Sequence, residues 1–94
     1  MTIRKMFMFK TSVTIPNKTG LHARPASQLS ALCQKFENEE LRIITSEKEI
    51  DPKSVIGILS AGIKQGTTIE LTAKGPDEEK AGKEIAAFIE KLTE

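Results

Sequence analysis

From Phe9 to Ile15 the chain alternates. Phe9, Thr11, Val13 and Ile15 fall on one side, and Lys10, Ser12 and Thr14 on the other, which is the period of a half-buried strand. Pro16 stops the pattern, and Asn17-Lys18-Thr19-Gly20 supplies loop residues. Past Gly20 the period lengthens: Ala26, Leu29, Leu32 or Cys33, and Phe36 recur at helical spacing, with Gln28, Ser30, Gln34 and Lys35 on the polar side. Pro25 fits this helix only in its first turn, where a missing N–H has no intrahelical partner to lose. The helix is therefore expected to start near Ala23, with His22 as its cap.

Strands are predicted over Leu41 to Thr45 and Lys48 to Ile50, joined by Ser46-Glu47, a turn with no Gly to fix its geometry. A short helix over Val55 to Ser60 follows, and either Asp51 or Ser54 could cap it. Alternation returns from Thr67 to Lys74, placing Ile69, Leu71 and Ala73 together. Gly75-Pro76-Asp77-Glu78-Glu79 then opens a last helix whose buried stripe is read as Ala81, Ile85, Phe88 and Leu92. The order β-α-β-β-α-β-α, with one apolar face per element, predicts an α+β fold. Its form is an open-faced two-layer sandwich, a four-stranded antiparallel sheet with three helices on one face.

Composition narrows the function. The 94 residues are expected to form a single domain, 1–94, with a mainly aliphatic core, since the only aromatics are four Phe. A formal net charge of +1 argues against nucleic acid or a membrane surface as partner. One Cys and one His leave no internal disulfide and no protein-only zinc site, so neither metal nor cofactor is expected. The short apolar run Met6 to Phe9 lies below the roughly 7–15 residues of a signal-peptide core. The first residues are read as a loose leader running into the first strand, and the location as cytoplasmic. Glu39-Glu40 and Glu78-Glu79 read as solvated surface, and Cys33 as packing.

The chemistry concentrates in Thr19-Gly20-Leu21-His22-Ala23-Arg24-Pro25-Ala26, which holds the only histidine. A phosphoryl acceptor must present an unprotonated nitrogen, and a helix amino-terminus disfavours further positive charge while its N–H groups bind anions. Arg24 offers a planar fork of donors for phosphate oxygens. The plainer reading makes His22 an ordinary cap and Arg24 a solvated charge.

That segment resembles the active-site segment of the HPr family, the histidine phosphocarriers of the bacterial phosphoenolpyruvate-dependent sugar phosphotransferase system. Lys53-Ser54-Val55-Ile56-Gly57-Ile58-Leu59-Ser60-Ala61-Gly62 is similar to the family's regulatory serine and the short helix after it. Gly66-Thr67-Thr68-Ile69-Glu70-Leu71 through Gly75-Pro76-Asp77-Glu78-Glu79 is similar to its last strand and helix start. The resemblance implies that His22 accepts a phosphoryl group on Nδ1 from phospho-Enzyme I and passes it to Enzyme IIA domains. Arg24 and the backbone N–H groups of Ala23 and Arg24 would hold the oxygens. The chain would then be a stoichiometric carrier and not an independent catalyst.

The resemblance further implies that Ser54 is the target of an HPr kinase/phosphorylase, against its plain reading as a cap. It also makes Val55, Ile56 and Leu59 a partly exposed docking patch, where periodicity alone would call them core. Pro52 departs from the family's usual apolar or small residue. The spacing from His22 to Ser54 is one residue longer than in the commonest Gram-positive members, more like the nitrogen-related branch. A regulatory adaptor of the nitrogen or catabolite-control type is therefore the alternative function. A monomer is expected.

Overall fold

The structure, a computed structural model, describes residues 8–93. The leader predicted for the first residues falls on residues 1–7, which lie outside the described part. The elements run β1 (Phe9–Thr14), α1 (Ala23–Gln34), β2 (Glu40–Ile44), β3 (Glu49–Ile50), α2 (Val55–Ser60), β4 (Thr68–Lys74) and α3 (Glu78–Glu90). The strands form one antiparallel sheet in the order β1-β4-β2-β3. Phe9 pairs with Ala73 and Thr14 with Thr68, while Leu41 also faces Ala73 and Ile43 faces both Leu71 and Ile50. This is the predicted open-faced sandwich.

The register stacks one apolar face. Val13, Leu41, Ile43, Ile69, Leu71 and Ala73 are buried beneath Ala26, Leu29 and Cys33 of α1, Ile58 of α2, and Ala81, Ile85 and Ile89 of α3. Each fully buried Leu or Ile contributes about 1.5–3 kcal/mol, so this layer carries the fold. The other face is open and charged. Arg42 reaches Glu40 at 3.3 Å and Glu49 at 3.5 Å, and Lys10 lies 4.0 Å from Glu70. Thr72 on that face is nonetheless only 5% exposed, because it pairs with both Lys10 and Arg42, whose long stems flank it.

Several details differ from the pattern reading. The α3 stripe is Ala81, Gly82, Ile85 and Ile89, while Phe88 and Leu92 are only half-buried. The stripe is rotated because Phe9 of β1 packs directly against Gly82, where any Cβ would collide with its ring. Ser30 is buried within α1, although polarity put it on the solvent side. Glu39 is 5% exposed, not solvated: its Oε2 accepts from Asp77 N at 2.8 Å, supporting the start of α3. Glu78 is likewise drawn in, its Oε1 accepting from Gly75 N at 3.1 Å. Glu40 and Glu79 are exposed, as expected.

The glycine-free turn between β2 and β3 is closed by Thr45. Its Oγ1 accepts from Glu47 N at 3.2 Å and Lys48 N at 3.0 Å, a side-chain turn that needs no positive φ. Among the described residues no helix is long and apolar enough to cross a membrane.

Candidate functional site

The loop before α1 is built to hold its shape. Asn17 is 2% exposed and donates from Nδ2 to Gly20 O at 2.9 Å, while Gly20 N donates to Asn17 O at 3.1 Å. Gly20 sits at φ +65°, and a Cβ there would lie 2.9 Å from Lys64 Cα, so only glycine lets the two backbones approach. Leu21 N then donates to Ile63 O at 3.1 Å, and the Leu21 side chain is buried. The chain reaches His22 from a fixed direction.

His22 is the N-cap of α1 in an extended conformation, φ −81° and ψ −166°. Its carbonyl accepts the first intrahelical bond, from Ala26 N at 2.8 Å, but its side chain makes no capping bond. The imidazole is on an exposed position and is not consumed by its own helix. Pro25, buried in the first turn, contributes no N–H, so the amides that precede Ala26 are those of Ala23 and Arg24. No acidic residue occupies this first turn. His22, Ala23 and Arg24 are all exposed, so a ring nitrogen, two helix-start amides and a guanidinium share one end of α1. Such an arrangement can hold an oxyanion beside a nucleophilic nitrogen.

The second group of residues lies on α2. Ser54 is its N-cap, and Ser54 Oγ accepts from Gly57 N at 3.0 Å. That resolves the rivalry with Asp51. Asp51 instead shapes the turn before it: its O accepts from Ser54 N at 3.0 Å and its Oδ1 from Lys53 N at 2.9 Å, with Pro52 buried between. Val55 is half-buried, while Ile56 is 78% exposed and Leu59 42%; Ile58 turns inward and is fully buried. Neighbouring Ile56 and Leu59 thus present apolar surface to solvent on a helix that packs against α1. At the far end Lys48 Nζ donates to Ser60 O at 3.2 Å. The Leu21–Ile63 bond joins the segment leaving α2 to the loop that delivers His22.

Sequence reasoning missed the residues that join α1 to α2. Ser30 Oγ donates to Lys53 O at 2.8 Å, and Gln34 Nε2 donates to the same carbonyl at 3.0 Å and to Ser30 Oγ at 3.1 Å. Lys53 Nζ extends to Glu39 O at 3.0 Å. The available signal was the i, i+4 spacing of Ser30 and Gln34; nothing local marked Lys53 as their acceptor. Cys33 lies buried beneath this junction, and burial first, then the charge of Asp51, pushes its thiol pKa up to about 12.

Comparison with known proteins places these features in a family. A family profile described as "PTS HPr component phosphorylation site" matches residues 9–91. The chain is 40% identical over 84 residues to phosphocarrier protein HPr of Mycoplasma pneumoniae, an alignment covering 89% of this chain and 96% of that one. It is 38% identical to the HPr-like protein Crh of Halalkalibacterium halodurans, covering 89% and 99%. Among solved structures, HPr-C-His from Thermoanaerobacter tengcongensis superposes with a TM-score of 0.83 at 40% identity, covering 88% of this chain and 92% of that one.

Proposed function

This chain belongs to the HPr family of phosphotransferase-system phosphocarriers, and from that premise we propose that His22 accepts the travelling phosphoryl group on Nδ1. With the proton on Nε2, Nδ1 offers its lone pair to phosphorus. The N–P bond forms as the donor's bond to phosphorus breaks, and the donor atom keeps its electron pair. Arg24 and the amides of Ala23 and Arg24 hold the equatorial oxygens as negative charge accumulates at the helix start. Because the imidazole is a good leaving group, the same bond then breaks toward the next acceptor.

The donor is phospho-Enzyme I and the acceptors are Enzyme IIA domains, all in the cytoplasm. Both dock on the apolar surface of Val55, Ile56 and Leu59 beside the phosphorylated end of α1. Ser54, at the head of that helix, is the target of an HPr kinase/phosphorylase. Phosphate there adds about −1.5 to −2 charges and opposes docking of an acidic partner. The single observation that carries the reading is the exposed N-cap imidazole that makes no capping bond. It also favours carriage over a purely regulatory adaptor, which has no need of a nucleophile there.

The test is incubation with phosphoenolpyruvate and Enzyme I, followed by mass analysis at alkaline pH. An acid-labile adduct on His22, absent from His22→Ala, is expected. A wild-type protein that stays unmodified with active Enzyme I overturns the reading.

A further inference from the structure

Ser30 is a buried polar residue with no part in the transfer chemistry. It lies on α1 eight residues after His22, roughly 12 Å along the axis. At 1% exposure it is out of reach of any docking protein. Its hydroxyl is spent on Lys53 O at 2.8 Å, and Lys53 immediately precedes the Ser54 N-cap. Gln34 doubles the attachment from the next turn, and Lys53 Nζ ties the same residue to Glu39 O. Lys53 therefore joins α1, the start of β2 and the head of α2.

We propose that the Ser30–Gln34–Lys53 clasp positions α2 for docking, holding its apolar patch in fixed relation to the α1 end that carries His22. The inference rests on the carrier reading above. A partner that must contact α2 and reach His22 together needs both at a set separation. If the clasp opens, α2 samples other seats on α1. The docking-competent population falls and the apparent affinity falls with it, while the chemistry at His22 is untouched. Ser30 and Gln34 are in this sense positioning residues.

The experiment compares wild type, Ser30→Ala and Ser30→Thr with two phosphoryl donors. Phosphoramidate, a small molecule, reports the reactivity of His22 without docking; Enzyme I with phosphoenolpyruvate reports docking plus transfer. Ser30→Ala is expected to raise the KM for this chain as Enzyme I substrate about two- to tenfold, the population equivalent of one hydrogen bond. Its kcat and its phosphoramidate rate should stay at wild-type values, and Ser30→Thr, which restores the hydroxyl, should return KM toward wild type. If Ser30→Ala melts below the assay temperature, Gln34→Met at an exposed position carries the test with the same split.

An unchanged KM in the folded variant overturns the proposal, as does an equal loss with both donors. Failure of wild type itself to accept phosphate from Enzyme I instead overturns the carrier reading, so the two failures are distinguishable.

Discussion

Ser54 makes two demands on its side chain, and substitutions can set them against each other. Its Oγ accepts from Gly57 N at 3.0 Å, which caps a helix only six residues long. Ser54→Ala removes the acceptor and should cost about 1 kcal/mol, the usual value of an N-cap. For a domain of this size that lowers the melting temperature by about 4–8 °C. Ser54→Asp keeps an acceptor in place and adds charge that the helix start favours, so it should melt close to wild type.

Docking should rank the two variants the opposite way. A new negative charge roughly 8 Å from an acidic partner group costs about 0.5–2 kcal/mol across the plausible range of effective dielectric, a two- to thirtyfold loss. Ser54→Asp should therefore lose transfer efficiency from Enzyme I at low salt and regain it as salt rises, whereas Ser54→Ala transfers normally. Melting curves by circular dichroism and initial transfer rates at two ionic strengths read both quantities. The reasoning is refuted if Ser54→Ala melts with wild type, or if transfer simply follows melting temperature in both variants.

Arg24→Ala should melt within a few degrees of wild type, because Arg24 is exposed. It should slow phosphoryl transfer about 10- to 100-fold, the worth of a charge-assisted hydrogen bond to the phosphoryl oxygens; stopped-flow transfer rates check this. Cys33 should resist iodoacetamide at pH 8 in the folded protein and react fully in urea, as followed by intact mass. In the unfolded chain the thiol ionises near 9.0, while the folded thiol holds its proton to about 12. The folded state then binds more protons between those values, so this group's contribution to stability declines as pH rises from about 9 toward 12. Urea titrations of wild type and Cys33→Ala at pH 8 and 10 should show a steeper decline for wild type.

The fold was legible because its strands each bury one face and therefore alternate, and because Pro25 marks the first turn of α1. Ser54 as cap and Thr45 as turn-former were local matters, yet only the first was within reach of pattern reasoning. Chemistry at Ser30 and Glu39 was hidden for a physical reason. A buried polar group is stable only with a partner, and their partners, Lys53 O and Asp77 N, are 23 and 38 residues away in sequence. The α3 stripe keeps the predicted Ala81 and Ile85 but buries Ile89 in place of Phe88, for a similar reason. Phe9, on the opposite side of the fold in sequence, sets how α3 turns at Gly82. The placement of His22 and Arg24 at the start of α1 was legible because Pro25 fixes where that helix begins.

Phosphorus NMR of the intact chain, mixed with phosphoenolpyruvate and catalytic Enzyme I, most directly tests whether this ring is the site of carriage. The expected spectrum shows a phosphohistidine signal of the Nδ1 type that vanishes on adding an unphosphorylated Enzyme IIA domain and never arises in His22→Ala. A phosphoryl signal that persists in His22→Ala, or that stays on the chain in the presence of that acceptor, contradicts it.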